Sequence, residues 1–78
     1  METFAARLAE VRRVRLMTQE ELANAAGVSA ATVTRLETVV NTLPHVATVK
    51  RLAKALDVDP AWLLWGEEAP TLMGKRAA

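Results

Sequence analysis

The stretch Thr18-Gln19-Glu20-Glu21-Leu22-Ala23-Asn24-Ala25-Ala26-Gly27-Val28-Ser29-Ala30-Ala31-Thr32-Val33-Thr34-Arg35-Leu36-Glu37 decides the fold. Thr18 followed three positions later by Glu21 is a capping box, in which hydroxyl and carboxylate each accept from a backbone N–H at a helix start. Met17 and Leu22 flank that cap as a hydrophobic staple. Ala-rich sequence carries the helix to Ala26, and Gly27 supplies the left-handed residue that ends it. Two residues on, Ser29 caps another helix, with Val28 and Val33 as its staple. The spacing therefore predicts a second helix over 19–26 and a third over 30–37, joined by Gly27-Val28-Ser29. Along the third helix Val33 and Leu36 point one way, and Ala30, Ala31, Thr34 and Arg35 point another.

Working outward, two helices joined by so short a turn form a helix-turn-helix. Upstream, Thr3 caps a first helix reaching about residue 15, with Phe4, Leu8 and Val11 on one apolar face. Arg7, Arg12, Arg13 and Arg15 fall mostly outside that stripe, and a solvated face is the bland one of the readings open to them. Downstream, residues 38–43 form a connection that Pro44 ends. A fourth helix follows, on which Val46, Val49, Leu52, Ala53 and Leu56 form the apolar stripe and Lys50, Arg51 and Lys54 the other face. His45 stands at its start, where it caps the helix or faces water. Asp59 caps a short fifth helix with Pro60 at its first position and Val58 and Leu63 as its staple. Gly66 stops it. From Glu67 the apolar period is lost, so the division expected is a domain over 1–66 and a flexible tail over 67–78.

Composition narrows the class. A chain of 78 residues has room for one small domain. The absence of cysteine excludes disulfide scaffolds and thiolate metal sites, and His45 alone builds no zinc site. Fifteen Ala, ten Leu and nine Val with no Tyr favour an all-α fold. No apolar run approaches the ~20 residues of a membrane span, and no signal peptide is evident, so the expectation is a soluble, cytoplasmic domain. The net charge is +1, but residues 1–56 carry eight Lys/Arg against five Asp/Glu, an excess that suits an anionic partner. No nucleophile is paired with a base, so an enzyme is not expected and no cofactor, metal or small-molecule ligand is implied.

Several joined pieces go beyond generic helices: Thr18 to Ala23, Gly27-Val28-Ser29, Thr32 to Glu37, then Leu52-Ala53-Lys54-Ala55-Leu56 and Trp62-Leu63-Leu64. Together they resemble the phage-repressor and Cro-like helix-turn-helix family (the XRE family) of transcriptional regulators, over roughly residues 4–66. The resemblance implies a five-helix domain that binds a double-stranded DNA operator as a homodimer, with helix three in the major groove. On that footing Gln19 and Ser29, at helix N-termini, are placed to hold phosphate, as are Thr38 and Asn41 beyond helix three. Arg35 is the candidate for bidentate contact with guanine, and Ala30, Ala31 and the Thr34 methyl are candidates for thymine methyl groups. The resemblance also implies a structural ion pair between Arg12 and Glu37.

The chain departs from that family at two places. Ala30 and Ala31 stand where long polar residues are common, which puts the weight of base reading on Arg35 and the threonines. Residues 38–43 carry no charge where a basic connection is usual. On helix five, Trp62 is expected to close the core and Leu63, Leu64 and Trp65 to form a dimer contact, which Val39, Val40 and Leu43 extend. The alternative reading is a helix-turn-helix that docks protein and no longer binds DNA.

Overall fold

The computed structural model describes residues 3–39 and 44–66. These fold into five helices, α1 (Phe4–Val14), α2 (Gln19–Ala26), α3 (Ala30–Thr38), α4 (Val46–Leu56) and α5 (Pro60–Trp65). Their starts are set by side chains that take up backbone N–H groups with no partner inside the helix. Thr3 Oγ1 accepts from Ala6 N at 3.1 Å, Ser29 Oγ from Thr32 N at 3.0 Å and Asp59 Oδ1 from Ala61 N at 2.9 Å. The Thr18–Glu21 capping box is complete, at 3.0 and 2.8 Å. His45 occupies the cap of α4 without a side-chain hydrogen bond and is exposed.

Three ends use the left-handed backbone. Gly27 has φ 73° and lets Val28 N donate to Ala23 O at 3.0 Å. Asp57, at φ 59°, does the same for α4, with Val58 N donating to Ala53 O at 3.0 Å. Leu16 also has φ 59°, an uncommon conformation for a side chain of that size.

α2 packs on α3 and α4, α1 on α3 and α5, and α4 on α5. Leu8, Leu22, Val33, Leu52, Leu56 and Leu63 are fully enclosed where these seams meet. Val33 and Leu36 thus fix the rotation of α3 from inside and decide which of its residues face outward.

Five expectations need correction. Leu63, assigned to a dimer face, is 0% exposed in the core. It sits at the fourth position of α5, so a staple with Val58 turns it inward, and the staple and interface assignments exclude one another. Leu63 closes the core, and Trp62 lies half-buried beside it. Arg7, with a solvated face among its open readings, is buried: its Nε donates to Leu63 O at 3.0 Å and its Nη2 to Leu64 O at 2.6 Å. These are carbonyls at the end of α5, which have no intrahelical partner, and a cation there also suits the helix dipole. Gly66 makes room for the guanidinium, since a Cβ there would stand 2.6 Å from Arg7 Nη1. Val46, assigned to the apolar stripe of α4, is 63% exposed, because the buried stripe begins a turn later at Val49. Thr38 belongs to the last turn of α3 rather than to the connection. The expected tail over 67–78 lies outside the described residues.

Candidate nucleic-acid interface

The outer face of α3 follows from its locked inner one. Ala30, Ala31, Thr34, Arg35 and Thr38 are all exposed, at positions that recur on one side of a helix. The small side chains of Ala30 and Ala31 leave its N-terminal turn low and open to close approach. No salt bridge occupies Arg35 among the described residues.

The start of α2 stands beside this face and is tied to it through Glu37. Arg12 Nε donates to Glu37 Oε2 at 2.7 Å and Arg12 Nη2 to Glu37 Oε1 at 3.0 Å. Arg12 Nη1 donates to Met17 O at 2.8 Å, binding the α1–α2 connection into the same cluster. Gln19 Nε2 donates to Glu37 Oε1 at 2.9 Å, and Thr34 Oγ1 donates to Gln19 Oε1 at 2.8 Å. An ionised carboxylate accepts only, so it sets which way the Gln19 amide turns and thereby presents Oε1 to Thr34. One unbroken chain of hydrogen bonds therefore runs from α1 through the inner edge of α3 to the start of α2 and back to the outer face of α3.

The side chains of Arg12 and Glu37 are 12% and 5% exposed. Burial pushes the Glu37 carboxyl up, but hydrogen bonds from Arg12 and Gln19 and the charges of Arg12 and Arg13 outweigh it and hold the group below the usual range. The hydrogen bond to Glu37 raises Arg12, against the opposing effect of burial. The ion pair is thus intact at neutral pH, and Gln19 is held in one orientation.

The remaining candidates differ in how their hydrogen-bonding groups are used. Ser29 Oγ accepts from Thr32 N and shares a 2.8 Å hydrogen bond with Thr32 Oγ1. When Thr32 is the donor in that pair, the Ser29 proton points outward and is free for an anion. Thr38 Oγ1 donates to Thr34 O at 2.6 Å, so its proton is engaged within α3. Asn41 lies outside the described residues, as do Val40 and Leu43. Leu64 is half-buried against the core, while Trp65 is 53% and Val39 46% exposed. The Gln19 bridge between Glu37 and Thr34 is a feature that residue-by-residue reading misses.

A family model described as a helix-turn-helix domain matches residues 3–63. The chain belongs to this family. Among curated proteins, this helix-turn-helix chain is 38% identical over 65 residues to the HTH-type transcriptional repressor RghR of Bacillus subtilis. That match covers 83% of the chain and 48% of the relative. It is 41% identical over 69 residues to the HTH-type transcriptional regulator PrtR of Pseudomonas aeruginosa, covering 88% of the chain and 26% of the relative. The helix-turn-helix chain therefore spans about half, or less, of the length of these relatives. A solved structure of the P22 c2 repressor protein in complex with a synthetic operator is similar, with a TM-score of 0.78 and 27% identity. The similarity covers 86% of this chain and all of that one. The five-helix architecture is therefore that of a phage-repressor-like domain. Among the described residues no helix is long and apolar enough to cross a membrane.

Proposed function

We propose that this chain is the DNA-binding domain of a transcriptional regulator, most simply a repressor, that reads a two-fold operator as a homodimer with α3 in the major groove. The observation that carries the reading is the outer face of α3. Val33 and Leu36 are anchored in the core, so Ala30, Ala31, Thr34 and Arg35 must face outward together, beside a Gln19 already oriented by Glu37. In this reading Arg35 contacts guanine in bidentate fashion, and Ala30, Ala31 and the Thr34 methyl pack on thymine methyl groups. Gln19 and Ser29 hold phosphate, with Asn41 as a further contact. Thr38 joins them only by releasing its bond to Thr34 O. Trp65 and Leu64 form the contact between copies, and Leu63 stays in the core. The names of RghR and PrtR, and the operator bound to the P22 c2 repressor protein, support this assignment.

Selection from a random duplex pool tests it. Enrichment of a two-fold motif, with light scattering that gives two copies per selected duplex, is the expected outcome. A pool that stays random at low salt would remove the DNA reading and leave a docking role. A single copy per duplex would remove the homodimer alone.

A further inference from the structure

The outer face of α4 carries Lys50, Arg51 and Lys54, all exposed. Among the described residues the one salt bridge is Arg12–Glu37, so none of these three cations is neutralised by a carboxylate there. Arg51 and Lys54 stand three residues apart on one helix side and border a cleft of about 440 Å³. Its other walls are Ala25, Ala26 and Ala55, whose short side chains let a bulky anion come close to both cations. Arg51 Nη1 also donates to Gly27 O at 3.4 Å, a long contact that leaves the guanidinium's other N–H groups available to an anion.

We infer that Arg51 and Lys54 form a second phosphate-contact edge, on the bank of the major groove opposite Gln19. The inference rests on the reading of α3 as the groove-bound helix. Gly27 lies two residues before Ser29, the cap of α3, so Arg51 stands beside the end of α3 that enters the groove. Gln19 stands at the other end of α2. The eight residues of α2 span about 11 Å at the helical rise, close to the ~12 Å width of the major groove. That length would let Gln19 and Arg51 lie on the two banks of one groove. The sequence supplies a reason for placing cations on α4: Thr38, Val39, Val40, Asn41, Thr42 and Leu43 carry no charge, so the connection after α3 provides none.

Phosphate contacts add affinity for every sequence and strengthen its dependence on salt, whereas base contacts separate one sequence from another. The test measures binding of the selected duplex and a scrambled duplex from 50 to 200 mM salt. It compares the full chain with an Arg51→Ala/Lys54→Ala variant and an Arg51→Gln/Lys54→Gln variant, which keeps most of the stem length and removes the charges. Both variants are expected to lower the slope of log affinity against log salt by about two for each bound copy, hence about four for the two copies of the dimer, and to weaken both duplexes equally. Their thermal unfolding is expected to stay close to that of the parent, since both side chains are exposed. An unchanged slope with tight parental binding would overturn the inference and leave the reading of α3 standing. A loss confined to the selected duplex would assign these residues to bases and overturn it too. If the parent binds neither duplex, the reading of α3 falls and this edge with it.

Discussion

Replacing Glu37 with alanine removes the acceptor at the centre of the candidate interface. Three hydrogen bonds are lost, from Arg12 Nε at 2.7 Å, Arg12 Nη2 at 3.0 Å and Gln19 Nε2 at 2.9 Å. Stranding one member of a buried pair costs about 3–5 kcal/mol, whereas an exposed pair contributes at most about 1 kcal/mol. The two side chains are 12% and 5% exposed, which puts them in the first class. Arg12 retains Met17 O at 2.8 Å and some contact with water, which places Glu37→Ala at the lower end, about 3 kcal/mol. In a domain of this size that lowers Tm by roughly 12–24 °C. Urea unfolding followed by circular dichroism reads the loss directly, with an unchanged denaturant slope showing that the folded state keeps its compactness. Arg12→Ala and the double variant complete a cycle. With both residues gone no charge is stranded, so the double loss falls short of the sum by about 2 kcal/mol. A single-variant loss under about 1 kcal/mol together with an additive cycle would refute the argument and class the pair as a surface one.

Three further outcomes follow from particular residues. Glu37 titrates below the usual range in the fold, so the stability it contributes is complete above about pH 4.3 and is lost as pH falls through its lowered value. Acid unfolding of Glu37→Gln should lack that component, and identical profiles for the two proteins would contradict it. Leu16→Gly is expected to stabilise the fold by about 0.5–1 kcal/mol, because Leu16 has φ 59° and is 90% exposed, so strain is relieved without loss of packing. A lower Tm for that variant would show that the side chain has a partner. Gly66→Ala should cost about 2 kcal/mol, since φ is 69°, ψ is −139° and a Cβ would stand 2.6 Å from the Arg7 guanidinium. Unchanged urea unfolding would show that Arg7 moves aside freely.

The parts of this molecule legible in its sequence are those whose physics is local. Thr18 with Glu21, Gly27, Ser29 and Asp59 act within three or four residues of themselves, so the helices of the helix-turn-helix can be bounded from spacing alone. The stops at Leu16 and Asp57 are local too, but neither residue carries the usual glycine signal. Arg7 was hidden for a different reason. Its acceptors lie 56 and 57 residues away, and only the approach of α5 to α1 turns a stripe-flanking arginine into a buried clamp. At Leu63 the staple with Val58 and an outward contact compete, and the staple, a rule about local geometry, wins. At the site, the pairing of Arg12 with Glu37 was suggested by family resemblance and not by spacing. Gln19 reaches Thr34 and Glu37 across 15 and 18 positions, which no pattern along the chain reveals.

The central claim is that α3 reads bases through Arg35 while Gln19 holds the backbone. It is tested most directly by repeating the duplex selection with Arg35→Ala and with Gln19→Ala and comparing binding energy position by position. The account predicts that Arg35→Ala loses a guanine preference worth about 1–3 kcal/mol at one position in each half-site. It predicts that Gln19→Ala weakens all sequences alike, apart from any effect passed on through Thr34. A guanine preference that survives Arg35→Ala unchanged would contradict it.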